Sequence, residues 1–228
     1  MVDFAGWHMP IQYTSIVSEH NAVRERVGIF DVSHMGQIFV SGKDASSFLS
    51  YVTTWNMTRL SDGDCRYCHI LDEKGQIIDD TIVYTFSNED YMLVPNASMV
   101  EKIFDWLNLQ SVNFEVSISN KSEDFFCFAV QGPQAPRLLR QYFNLSITPF
   151  KLVKSGNIII SGTGYTGEKG YEIMGPLSES LGIWESFLEM GAIPIGLGAR
   201  DTLRLEKGYL LSGTDFNGTQ TTLESGYS

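Results

Sequence analysis

The sequence predicts an α+β fold with mixed and antiparallel sheets flanked by helices. Three observations carry that reading. Segments with apolar residues at helical spacing are interspersed with segments that alternate apolar and polar residues, without strict β-α-β order. Turn-forming residues join several of the alternating segments. No low-complexity linker or short internal repeat divides the 228 residues, so any domains are interleaved or tightly joined.

Residues 14–28, TSIVSEHNAVRERVG, place Ile16, Val17, His20, Val23 and Val27 at helical spacing, with Gly28 as the stop. IFDVSHMGQIFVSG then reads as a strand, a tight polar turn and a second strand. DASSFLSYV, 44–52, reads as a helix with Asp44 as N-cap. Strands follow at 65–71, 77–85 and 91–95, with turns at Gly75 and at Ser87-Asn88. Residues 97–111 carry Val100, Ile103, Phe104 and Leu107 on one face of an amphipathic helix. FFCFAVQGP, 125–133, is a buried strand and PQAPRLLRQYF a short helix. Residues 157–176 form a hairpin with a glycine-rich connection, 180–191 a helix, and 194–208 a polar loop opening into a helix.

A chain that is 43% hydrophobic and 12% aromatic can bury one large core or two small ones. Its net charge of −11 would be repelled by a phosphate backbone, so nucleic acid is not expected as a partner. No apolar run approaches the ~20 residues that cross a bilayer, and MVDFAGWHMPIQY does not read as a signal peptide, so no membrane is expected either. Three cysteines make no disulfide framework and point to a reducing compartment.

Cys65, Cys68 and His69 have the spacing of a c-type haem attachment site. On a strand, however, Cys65 and Tyr67 face one way and Cys68 the other, which is poor geometry for two thioethers on one porphyrin edge. A reactive Cys-x-x-Cys belongs at a helix start, and none follows. Zinc would want four ligands, and no second pair is present. Neither haem nor metal is expected. His8, His20 and His69 have no acid–base partner visible in sequence, and His34, in a turn beside Ser33, reads as structural.

GTGYTGEKG is not a phosphate loop, because Glu168 stands where phosphate contacts belong, and GLGAR lacks a dinucleotide fingerprint. The glycines suit tight turns or close backbone approach. Tyr165, Tyr171, Glu172, Arg200 and Asp201 set aromatics and charges beside that permissive backbone, as a pocket for a flat heteroaromatic ligand requires.

FAGWHMPIQY, IFDVSHMG, GQIIDDTIVY, LVPNAS, VQGPQA, GTGYTGEKGYEI and GLGARDTLRLEKGYLLSGTD, in this order, resemble the T-protein (aminomethyltransferase) family of the glycine cleavage system over essentially the whole chain. The resemblance implies a tetrahydrofolate-dependent aminomethyltransferase. It would take a methylene unit from the aminomethyl group on the lipoyl arm of the H-protein, pass it to tetrahydrofolate and release ammonia. It implies a folate-binding T-protein-like fold of two subdomains, 1–40 with 126–228 and 41–125, and a bacterial cytoplasm or mitochondrial matrix as the setting. A non-catalytic folate-binding module of the same superfamily is the alternative.

The family's essential aspartate aligns with Asp80. On a strand Ile78, Asp80, Ile82 and Tyr84 share one face and Ile77, Asp79, Thr81 and Val83 the other, so one aspartate can look into a given pocket; periodicity does not say which. A fixed anion would stabilise positive charge developing on the transferred carbon and could hold a pterin amine in place. Met35, Tyr67, Asn96, Tyr165, Glu172 and Arg200 match folate-contacting positions. The resemblance implies that Glu172 meets the pterin's amino-amide edge, Arg200 a folate carboxylate or carbonyl or Glu172 itself, and Met35 and Tyr67 the rings. Relatives continue into a third, mostly β domain and begin about fifteen to twenty residues earlier; both are expected to be absent here, with weak folate binding and slow turnover as the consequence.

Overall fold

The computed structural model describes residues 1–226. The chain divides into two compact units, Met1–His34 with Asp124–Tyr209, and Met35–Glu123 with residues 210–226. Residues 35–40 and 210–226, grouped with the first subdomain in the sequence reading, lie in the second unit, because each segment pairs with strands there.

In chain order, the first unit opens with β1 (Val2–Phe4) and β2 (Trp7–Met9), a hairpin. Helix α1 (Ile16–Glu25) starts where the Ser15 side chain accepts from the Ser18 amide. Gly28 is not the stop of that helix but the first residue of β3 (Gly28–Asp31). The second unit then holds β4 (Ile38–Ser41), α2 (Ala45–Val52), β5 (Cys65–Leu71), β6 (Ile77–Ser87), β7 (Asp90–Pro95), α3 (Val100–Gln110) and β8 (Ser117–Asn120). The chain returns to the first unit for β9 (Phe125–Gln131), α4 (Ala135–Phe143), β10 (Leu152–Ser155), β11 (Ile158–Ser161), β12 (Gly170–Pro176), α5 (Ser180–Glu189), β13 (Ile193–Pro194) and α6 (Leu197–Lys207). Gly208 ends α6 in the left-handed region, at φ 77°.

The first unit's sheet runs β10-β11-β12-β9-β3-β13, antiparallel except for the parallel β13–β3 pair. Its core gathers Ile29, Phe126, Val130, Leu138, Ile160, Ile173 and Phe187 from strands and helices. Each fully buried side chain of this size contributes roughly 1.5–3 kcal/mol. The second unit's sheet runs β5-β6-β7-β4-β8, antiparallel throughout. Phe48 and Leu49 of α2 and Ile103 and Leu107 of α3 pack with Ile38, Val83 and Leu93 of its strands.

Strands β3 and β4 lie where the sequence places two strands, and each joins a different sheet. One local expectation is corrected. Asp44 precedes α2 but makes no side-chain cap, because its Oδ2 accepts from the Glu115 amide at 2.8 Å.

Candidate functional site

In the second unit the turn at Gly75 folds β5 back on β6, and the register sets His69 opposite Asp80 and Tyr67 opposite Ile82. The Tyr67 hydroxyl donates to Asp80 Oδ2 at 2.9 Å. Asn96, one residue past β7, donates through Nδ2 to Asp80 Oδ1 at 2.6 Å and to Asp79 Oδ1 at 2.9 Å, and its backbone amide reaches Asp79 Oδ2 at 3.0 Å. Strand alternation therefore does not isolate the two aspartates: a single carboxamide beyond the strand end ties both.

Both carboxylates are buried, Asp79 at 0% and Asp80 at 9% exposure. Burial pushes the Asp79 pKa up to about 6, aided by the neighbouring charge of Asp80 and opposed by Ser212 and Asn96. Burial also raises Asp80, while Tyr67 and Asn96 hold it down by favouring the anion. Among the described residues, neither aspartate joins an ion pair.

His69, which showed no partner in sequence, has two. Its Nε2 lies 3.2 Å from the Tyr67 hydroxyl and its Nδ1 3.1 Å from Thr222 Oγ1. The register of the 65–71 and 77–85 strands could have paired it with Asp80; nothing local pointed to Thr222, 153 residues away. His20 also has partners, Thr202 Oγ1 at 2.8 Å and Glu206 at 3.2 Å.

In the first unit the β11–β12 connection passes over Gln131, which is fully buried. Its Nε2 donates to the Thr163 carbonyl at 3.1 Å, and Thr166 Oγ1 donates to its Oε1 at 2.8 Å. A Cβ on Gly164 or Gly170 would come within 2.2 or 2.3 Å of that carboxamide, which is why this loop carries glycines. Glu172, on β12 opposite Ser161, accepts from Thr163 Oγ1, whose oxygen in turn accepts from the Ser161 hydroxyl. Arg200 lies near the Tyr165 ring, its guanidinium carbon 4.8 Å from the centroid, and Tyr165 stacks with Tyr209 at 5.7 Å. Burial draws the Arg200 pKa below its ordinary value, and Glu172 opposes this most strongly. Helix α6 is located by Glu19: its carboxylate, buried in α1, accepts from the amides of Tyr13, Thr14 and Gly196 at 2.7–2.8 Å.

The candidates gather as one cluster in each unit: Tyr67, Asp80 and Asn96 in the second, and Tyr165, Glu172 and Arg200 in the first. Met35 is half-buried in the loop before β4, where its carbonyl accepts from Gln37 Nε2 at 2.9 Å. Tyr171 faces the core instead of the Glu172 side of β12, and Asp201 is exposed and paired with Arg204 at 2.8 Å. His34 is buried with Nδ1 unpartnered; burial, then Arg200, lowers its pKa to about 3. All three cysteines are free and buried, and burial lifts the Cys68 thiol to about 12, far from a reactive thiolate. Among the described residues, no group of three or more His, Cys, Asp or Glu side chains is placed to hold a metal ion.

The GCVT N-terminal domain family model matches residues 1–228. The chain belongs to this family. It is 44% identical over 99% of its length to an aminomethyltransferase of Staphylococcus carnosus, and 42% identical over 99% to an aminomethyltransferase of Staphylococcus haemolyticus. It spans 65% and 64% of the length of those curated relatives. The crystal structure of glycine cleavage system aminomethyltransferase T from Bartonella henselae superposes with a TM-score of 0.92 at 34% identity, covering 97% of this chain and 62% of that one. A heterotetrameric sarcosine oxidase from Corynebacterium, at 14% identity and a TM-score of 0.54, shares the fold alone. These comparisons agree with the α+β class and with the family named by the sequence motifs.

Proposed function

We propose that this member of the GCVT N-terminal domain family acts in a tetrahydrofolate-dependent aminomethyltransferase of the glycine cleavage system. It would transfer a methylene unit from the aminomethyl-lipoyl group of the H-protein and release ammonia. The observation that supports this reading most is the Asp79–Asp80 pair, buried and held only by neutral donors among the described residues. A buried carboxylate without a cation is costly, and a site that keeps one is suited to meet positive charge delivered by a substrate.

Tetrahydrofolate, when bound, supplies the amines that accept the one-carbon unit. The donor set of this chain fits such a group. Asp80 uses two of about four acceptor positions on Tyr67 and Asn96, which leaves capacity for an amine proton. We assign Asp80 the role of steadying positive charge and holding the accepting amine. Asn96 and Tyr67 hold that carboxylate, and the Tyr67 ring, with Met35, offers a surface for ring packing. Glu172 suits the pterin's amino-amide edge, and Arg200 a folate carbonyl or carboxylate. In the same proposal the working compartment is a bacterial cytoplasm or a mitochondrial matrix.

Calorimetric titration with tetrahydrofolate, followed by a methylene-transfer assay with aminomethylated H-protein, tests the reading. Saturable binding with transfer is the expected result. Binding without transfer would turn the assignment to a non-catalytic folate module, and absence of both would reject it.

A further inference from the structure

We infer that His69, seated by Thr222, is a positioning residue that fixes the Tyr67 hydroxyl as a donor to Asp80. The Tyr67 hydroxyl has one proton, and it points to Asp80 Oδ2 at 2.9 Å. In its 3.2 Å contact with His69 Nε2 the phenol oxygen must therefore accept, so Nε2 carries the ring proton. Nδ1 is then the acceptor, and the Thr222 hydroxyl, 3.1 Å away, is its donor. Proton direction is set along the whole line, from Thr222 through His69 and Tyr67 to Asp80.

The surroundings keep that line in one state. His69 is 1% exposed, and the Phe216 ring lies tilted against it with centroids 6.0 Å apart. Burial lowers the imidazole pKa to about 4, so the ring is neutral near pH 7 and Nδ1 remains an acceptor. The segment that carries Thr222 and Phe216 is fastened to β6, where the Ile77 amide donates to the Gln220 carbonyl at 2.8 Å and Gln76 bridges to Thr221. The same segment carries Ser212, which bonds Asp79. Hydrogen bonds in such a line polarise one another, so donation into the phenol oxygen strengthens the phenol as a donor to the carboxylate. The titratable groups around Asp80 are Tyr67, Cys68 and His69 of β5 and Asp79 of its own strand. The role rests on the proposed function, which gives Asp80 its task.

The test compares wild type, His69→Leu, His69→Gln and Thr222→Val in methylene transfer to tetrahydrofolate across pH, with nitrogen NMR of the wild-type histidine rings. Leucine removes the donor; it should lower kcat ~10-fold, the rate equivalent of one lost hydrogen bond, and leave KM for tetrahydrofolate unchanged. It should also move the acid limb of the rate profile to higher pH, because a weaker donor holds the Asp80 anion less well. Glutamine, whose amide N–H can stand where Nε2–H stood, should restore most of the rate, and Thr222→Val should fall between. Unaltered kcat in His69→Leu, no rescue by glutamine, or a ring protonated on Nδ1 would overturn the inference while leaving the function standing. A wild-type chain that transfers nothing would reject the function and this role with it.

Discussion

In the first unit Arg200, partly buried, lies over the face of Tyr165 and feels the Glu172 carboxylate, so a cation meets an anion and a π-surface. In the second unit, among the described residues, Asp79 and Asp80 accept from Tyr67, Asn96, Ser212 and a backbone amide, all neutral. The first cluster is balanced within the protein and the second is not. A cluster that holds both signs of charge is suited to recognition, since it changes little when a polar ligand edge replaces one of its partners. An unbalanced anion is suited to chemistry, since its interaction with a ligand strengthens as positive charge develops there.

The largest expected effect follows from that contrast. Asp80→Asn keeps the volume and a carbonyl acceptor for Tyr67 while removing the charge. Transfer should fall by ~10²–10³, by analogy with the loss of an oxyanion-hole donor, while the calorimetric Kd for tetrahydrofolate changes little. A variant that loses binding and rate in parallel would place Asp80 among the recognition groups and erase the contrast between the clusters.

Arg200→Met probes the first unit's cluster. Removing the guanidinium takes away a charged donor and the positive charge that acts on Glu172. Tetrahydrofolate affinity should weaken ~10–100-fold, and kcat measured at saturation should hold near the wild-type value. A drop in kcat with unchanged affinity would reverse the division of labour.

Most of the elements were legible in the sequence because they obey local rules. The apolar stripe Val100, Ile103 and Leu107 is buried in α3, and the alternating 77–85 segment lies within β6. What was illegible depended on distant partners. β13 is two residues long and exists only because Ile193 and Pro194 pair with Gly28 and Ile29. Ser117–Asn120 is a polar edge strand whose identity comes from pairing with β4. In 29–42 both strands were recognised, but periodicity says nothing about which sheet a strand joins, and β3 and β4 join different ones. In the candidate site, residue types and motifs marked Tyr67, Asp80, Asn96, Glu172 and Arg200. Local pattern could not show that Asn96 ties two aspartates or that Thr222 completes the environment of His69, since those contacts are made only by the folded chain.

The smallest expected effect separates the units by pH. In the first, His34 has a folded pKa of about 3 against an ordinary 6.5. The unfolded chain takes up this proton below pH 6.5 and the folded chain does not, so stability is lost as pH falls through that window. In the second, His69, at about 4, acts in the same direction, but Asp79 acts against it. With a folded pKa of about 6 against 3.8, Asp79 is protonated in the folded state first, which adds stability as pH falls from about 6 toward 3.8. Between pH 7 and 5.5 the His34 contribution amounts to a loss of about 1 kcal/mol, whereas His69 and Asp79 together should cost less than half of that. Amide exchange at Ile29 and Val130, corrected for intrinsic rates, should therefore lose protection on acidification faster than exchange at Val83 and Leu93. His34→Leu should remove the difference if the variant folds. Asp79→Asn should make the second unit as acid-sensitive as the first. Equal loss of protection at all four amides would mean that the two units open together, and the contrast between them would then be one of chemistry without a counterpart in stability.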